Sequence, residues 1–260
     1  MGALAETSCD SDMKHNMPRA PQPTVSVPEE PRRRFLVAAA GVGLLVASSC
    51  AKSASGEAKS PSAGADEDVA PPEDLMREHG VLNRILLIYD ETARRLDAKQ
   101  PLPIDVLAKS ADIIRRFIEQ YHEKLEEDFL FPRFEKANKL VDLVATLRRQ
   151  HQAGRTLTES ILRLATVAAV QKDDDRRALT VTLRSFVRMY RPHEAREDTV
   201  LFPAFRSVVS AKEFHDLGDQ FEAKEHDLFG KEGFEGIVVQ VGALEQALGT
   251  FDLDQFTPIP

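Results

Sequence analysis

Two stretches of this chain carry the same chemistry in the same order. His122-Glu-Lys-Leu-Glu126-Glu-Asp-Phe-Leu-Phe-Pro132-Arg-Phe134 aligns with His193-Glu-Ala-Arg-Glu197-Asp-Thr-Val-Leu-Phe-Pro203-Ala-Phe205. Identities fall at the His, at both Glu positions, at Leu-Phe-Pro and at the final Phe. A second pair lies at an offset only one position longer: Leu75-x-Arg77-x-His79 against Leu147-x-Arg149-x-His151. An internal repeat exposes the unit of construction. Here each unit carries one His, then His-x-x-x-Glu, so the fold must be one that two like halves can build.

The hydrophobic spacing says what the halves are. Leu75, His79, Leu82, Leu86 and Tyr89 recur at three- and four-residue steps, which marks one face of a helix. Pro72 with Glu73 and Asp74 suits the start of that helix, and Pro101 lies beyond its end. Similar periodicity predicts a second helix from about Ile104 to Phe131, a third from about Leu140 to Val170 and a fourth from about Asp173 to Phe202. Pro132 and Pro203 are expected to end or kink the second and fourth helices, and Pro192 to distort the fourth. A weaker run, Ala211 to Phe229, and a short one, Val238 to Leu248, follow. The expected fold class is all-α: an up-down four-helix bundle built from two repeated helical hairpins, with an additional C-terminal helical segment.

Residues four apart in a helix share a face, so His122 and Glu126 point at one spot, as do His193 and Glu197. Their helical neighbours are apolar: Phe117, Tyr121, Leu125 and Phe129 near the first pair, Phe186 and Tyr190 before the second. Burying imidazoles and carboxylates without a partner is costly, and a metal ion is the economical partner. A two-fold pairing of the hairpins brings together His79, His122, His151, His193, Glu126 and Glu197. One zinc ion leaves some of these six unused. Two metals bridged by the carboxylates use them all, and a mixed imidazole and carboxylate set favours iron or manganese. Glu123 and Glu194 also repeat. They begin like the HExxH of a zinc peptidase, but Glu126 and Glu197 stand where the second His belongs, which rejects that class. Outer partners, extra ligands or a solvated face all remain open for them. Tyr121 and Tyr190 read as core residues that can donate near the site. Phe131, Phe202 and Phe205 read as core, and His215 and His226 as surface.

Taken together, these residues resemble the haemerythrin-like, or HHE, cation-binding family over roughly residues 72 to 230. The resemblance implies a non-haem di-iron centre, with His79, His122, His151, His193, Glu126 and Glu197 as ligands and the two Glu bridging. Oxygen-carrying haemerythrins use a fifth His one turn from another on the third helix. Here Leu147 and Arg155 flank His151. The pattern is therefore closer to the four-His members, such as the repair-of-iron-centres proteins and the iron-sensing F-box subunit. The implied function is to bind, sense or reduce a small diatomic ligand, O₂ or NO, or peroxide. The alternative is iron storage, delivery or sensing without turnover. Whether the protein is an enzyme, and which redox partner it has, stay open.

Residues 1 to 71 are another kind of sequence. Arg32, Arg33 and Arg34 precede Phe35 to Ala47, an uncharged run of small and apolar side chains. That run is shorter than the ~18 to 20 apolar residues of a membrane span but suits a signal-peptide core. Arg32-Arg33-x-Phe35-Leu36 resembles a twin-arginine export signal, and Ala47-Ser48-Ser49-Cys50 a loose lipoprotein cleavage site. The expected layout is a leader with signal over 1–49, a flexible tether over 50–71, the bundle over 72–230 and a tail over 231–260. The expected location is periplasmic or cell-envelope, with membrane contact only through a lipid on Cys50. With Cys9 and Cys50 the only cysteines, no disulfide framework exists. A net charge of −8 gives no electrostatic reason to hold nucleic acid.

Overall fold

The structure, a computed structural model, describes residues 70–258. The signal, the tether up to residue 69 and the proposed lipid site at Cys50 lie outside the described residues, and α1 begins at Pro71, inside the expected tether. Four long helices make the bundle. α1 is Pro71–Asp97, α2 spans 104–136, α3 is Val141–Leu164, and α4 begins as Asp173–Arg196 and continues to 205. Two more follow, α5 (Ala211–Phe229) and α6 (Gly233–Leu248), then a 3₁₀ turn, Leu253–Phe256. No strand occurs among the described residues, and no described helix is long and apolar enough to cross a membrane.

Local chemistry places the helix ends. Pro71 and Pro72 sit in the first turn of α1, where their missing N–H groups cost nothing, and the Glu73 side chain accepts from the Ala70 N–H. Three aspartates, Asp173, Asp174 and Asp175, occupy the first turn of α4, favoured by the positive end of the helix dipole. The Ser210 hydroxyl accepts from the Glu213 N–H to cap α5. Gly230 (φ 76°) and Gly249 (φ 80°) end α5 and α6 in left-handed backbone that other residues resist. The expected third helix is interrupted: it stops at Leu164, and Thr166 caps a separate turn, Val167–Val170, by accepting from the Ala169 N–H.

The helices pack as a ring, α1 on α2, α2 on α3, α3 on α4 and α4 on α1. Leu75, Leu82, Tyr89, Phe117, Phe186 and Leu147 are among the residues that fill the centre, each at most 1% exposed. Each such side chain contributes on the order of 1.5–3 kcal/mol, and together they offset the cost of the polar groups buried among them. α5 and α6 pack on one side of the bundle, α6 against α1, α5 and the start of α2.

The prolines do not end the helices. α2 runs on to Lys136 and α4 to Phe205. Proline clashes with the carbonyl four residues back and offers it no N–H. The chain answers with a wider π turn just upstream, Glu126–Leu130 in α2 and Glu197–Leu201 in α4. In each, the residue before the proline bonds five residues back: Phe131 N–H to the Glu126 carbonyl, Phe202 N–H to the Glu197 carbonyl. The repeat therefore extends to the backbone irregularity, and π turns of this kind commonly mark functional sites. A further π stretch, Ile114–His122, has no partner in α4, where Pro192 sits inside regular α-helix without breaking it.

Candidate metal centre

Four imidazoles and two carboxylates converge inside the ring. His79 comes from α1, His122 and Glu126 from α2, His151 from α3, and His193 and Glu197 from α4. All six are at most 4% exposed. His79, His122 and Glu126 bring ligand atoms within 4.8 Å of one another, and His151, His193 and Glu197 do the same. Each hairpin thus supplies one triad. The carboxylates join them. Glu126 Oε2 lies 3.8 Å from His122 Nε2 and 3.4 Å from His151 Nε2. Glu197 Oε2 lies 3.1 Å from His193 Nε2 and 3.4 Å from His79 Nε2. Every sequence-predicted site residue is in this cluster, while His215 and His226 are on the surface.

A ring of outer groups, which the sequence did not single out, orients the imidazoles. Nδ1–H of His79 donates to Asp198 Oδ1 at 2.8 Å, and that of His151 to Glu127 Oε1 at 3.1 Å. Nδ1–H of His122 donates to Glu78 Oε2 at 2.6 Å, and that of His193 to Gln150 Oε1 at 2.9 Å. The tautomer is assigned from the acceptor. It leaves each Nε2 facing inward and able to bind a metal. Phe202 stacks on His79 and Phe131 on His151, both with centroids 5.5 Å apart. These outer groups also repeat: Glu127 pairs with Asp198 at the offset that relates His122 to His193, and Glu78 pairs with Gln150 at the offset that relates His79 to His151. That correspondence was the signal that could have found them.

The residues fit a pair of metal ions. Both oxygens of Glu126, both of Glu197, and His151 Nε2 are buried without a hydrogen-bond partner. Each such group costs about 1–3 kcal/mol, more when charged. Burial and the facing charge of Glu197 push Glu126 well above the usual carboxylate range. Glu197 is also buried, but His193 and His79 outweigh that and hold it low. Two carboxylates this deep stay ionised together only with cationic charge between them. Among the imidazoles, burial drives His122 well down and His151 to about 4. On His79 burial is overcome by Asp198 and Glu197, which lift it to about 10. A nitrogen and oxygen donor set without sulfur suits iron or manganese.

Glu123 and Glu194 are buried rather than on a solvated face, and Glu123 brings a carboxylate oxygen within 4.8 Å of ligand atoms of Glu127 and His151. Tyr190 donates its hydroxyl to Glu123 Oε1 at 2.7 Å, and Arg155 lies 2.7 Å from Glu123 Oε2. Asn83 Nδ2 donates to Glu194 Oε2 at 2.9 Å. The Tyr190 hydroxyl reaches this place because Gly154 leaves room: a Cβ there would sit 1.9 Å from the hydroxyl oxygen. Leu147 is core, and Arg155 also donates to Glu127 at 2.7 Å. Arg155, Arg115, Glu119 and Lys124 line a surface cavity of about 580 Å³.

A ring of four helices closed around paired His and two Glu that each reach a His of both hairpins is a haemerythrin-type arrangement. Residues 70–205 match the Hemerythrin HHE cation binding domain, and the chain belongs to that family. It is similar to two uncharacterized mycobacterial proteins, Rv1995 of Mycobacterium tuberculosis (strain H37Rv) and Mb2018 of Mycobacterium bovis. Each is 48% identical over 235 residues, covering 87% of this chain and 91% of the relative. No solved structure matches the chain.

Proposed function

We propose that His79, His122, His151, His193, Glu126 and Glu197 hold two iron ions, with Glu126 and Glu197 bridging them, and that the pair binds, senses or reduces O₂, NO or peroxide. The observation that carries this reading is the cross-reach of the carboxylates, each within 3.8 Å of a His from both hairpins. When bound, the iron pair supplies open coordination positions and a change of oxidation state. The chain supplies the rest. Glu78, Gln150, Glu127 and Asp198 fix the imidazoles, and Phe131 and Phe202 shield His151 and His79. At no more than 4% exposure, the six residues admit only a small ligand. Six protein ligands shared by two metals leave positions open, which favours ligand binding over storage or delivery. Optical spectra of the iron-loaded protein with O₂ and with NO test it. A shift with either gas is expected; iron uptake without response to either gas supports storage or delivery instead.

The protein is proposed to be of the four-His type, since Leu147 and Arg155 occupy the turns beside His151. It is further proposed to be exported and lipid-anchored at Cys50, on the basis of Arg32-Arg33-x-Phe35-Leu36 and the uncharged run after it. Replacing Arg32 and Arg33 by Lys should block export; undiminished export would remove the twin-arginine reading.

A further inference from the structure

A second cluster of acids, two buried and one half-buried, lies on the outer side of His122. Asp74 and Glu78, one turn apart on α1, meet Glu225 of α5, and one oxygen of each lies within 4.8 Å of the others. Glu78 is fully buried. Its Oε2 is taken by His122, the Tyr121 hydroxyl also faces the carboxylate, and its Oε1 is buried with no partner in hydrogen-bonding geometry. Glu225 is held in place by the backbone: its Oε1 accepts from the Phe234 N–H at 2.9 Å, and its Oε2 lies 3.5 Å from the Tyr121 hydroxyl. Gly233, at φ 40°, makes the approach possible, since a Cβ there would sit 2.0 Å from Glu225 Oε1. The nearest basic partner is Arg77, 3.2 Å from Asp74 and itself well exposed. Burial, and then the charges of Glu78 and Glu225, hold Asp74 up at about 7.

The duplication isolates this cluster. Where the first hairpin has Asp74 and Glu78, the second has Thr146 and Gln150 at the matching positions. The third acid comes from α5, which has no counterpart in the repeat. Three carboxylates from two helices therefore meet on one side of the bundle only, and one of them keeps an unpartnered buried oxygen. Mutual repulsion and desolvation make this arrangement costly for a structural core.

We propose that Asp74, Glu78 and Glu225 form a third cation site, separate from the six-residue centre, that takes one hard divalent cation through oxygen ligands alone. All-oxygen donors of this kind suit Mg²⁺, Ca²⁺, Mn²⁺ or Fe²⁺ rather than thiolate- or imidazole-seeking metals. Glu78 connects the site to the centre, because its other oxygen orients His122.

The test counts Mn²⁺ bound to the full chain after chelator treatment, with free Mn²⁺ read by electron paramagnetic resonance, in wild type and Glu225→Gln. The amide keeps an oxygen for the Phe234 N–H, so folding is preserved and is checked by thermal melting. The wild type is expected to bind one more Mn²⁺ than Glu225→Gln, and the metal-free variant to melt no lower than metal-free wild type. Asp74→Asn is expected to lose the same equivalent. Competition by excess Mg²⁺ or Ca²⁺ should remove that equivalent first and identifies the cation preferred. Equal Mn²⁺ counts in wild type and Glu225→Gln overturn the proposal. If the six-residue reading fails instead, the wild type still binds one Mn²⁺ that Glu225→Gln loses, so the two failures are distinguishable.

Discussion

On the first hairpin, His79 leans on Asp198 and His122 on Glu78; on the second, His151 leans on Glu127 and His193 on Gln150. The inner groups are the same on both sides, and the outer ones are not. Glu127 is tied to Lys124 at 2.6 Å and Arg155 at 2.7 Å, and Gln150 is an amide. Neither Glu78 nor Asp198 receives a hydrogen bond from a lysine or arginine among the described residues. Carboxylate acceptors raise the basicity of the imidazoles that donate to them. The halves therefore share a ligand set but differ in outer charge, with the more electron-rich imidazoles on the first. Duplication preserved what holds a metal and released what tunes it.

Removing an inner ligand should erase the comparison altogether. His122→Ala or His193→Ala should halve or abolish metal loading, while His226→Ala, on the surface, should leave it unchanged. Metal analysis of the purified variants decides this, and equal loading in all three would contradict the ligand assignment. Altering an outer acceptor should shift the balance. Glu78→Gln makes the first half resemble the second and should weaken metal binding by roughly 10- to 100-fold, the usual effect of losing such a partner. Gln150→Glu should act in the opposite sense. Chelator competition measures both.

Packing supplies a smaller effect. Gly154→Ala drives a methyl into the Tyr190 hydroxyl and should cost about 1–3 kcal/mol, read as a lowered melting temperature. The mildest effect is a pH dependence of the metal-free protein. Burial raises Asp74 to about 7, Glu78 to about 8 and Glu194 to about 7, while carboxylate partners overcome burial to raise His79 to about 10. Between pH 6.5 and 8 the folded chain then holds more protons than the unfolded one, so stability falls as pH rises. His151, lowered to about 4 by burial, acts below 6.5 in the opposite direction. Thermal melts of chelator-treated protein at pH 6.5 and 8 should show the loss, and metal should reduce it.

The four helices and the inner His and Glu were legible in the sequence because duplication and helical period act at short range. The outer acceptors were less so: an acid at 127 and 198 has no motif of its own, although the offset repeats. The prolines were read as ending or kinking the helices; they do not end them, because a π turn at Glu126 and again at Glu197 absorbs the clash and lets the helix continue. The third helix ended early because Thr166 caps a new turn, a short-range signal that prevails in the fold over the apolar spacing that runs on to Val170. Glu225 was invisible as a site residue, because only the packing of α5 and α6 on the bundle brings it to Asp74 and Glu78.

In the proposed centre two metals share Glu126 and Glu197. Iron analysis of the anaerobically loaded full chain, with the optical spectrum of its oxidised form, tests it most directly. At least about two irons per chain and a di-iron spectrum are expected; less than about one iron per chain would contradict the shared pair.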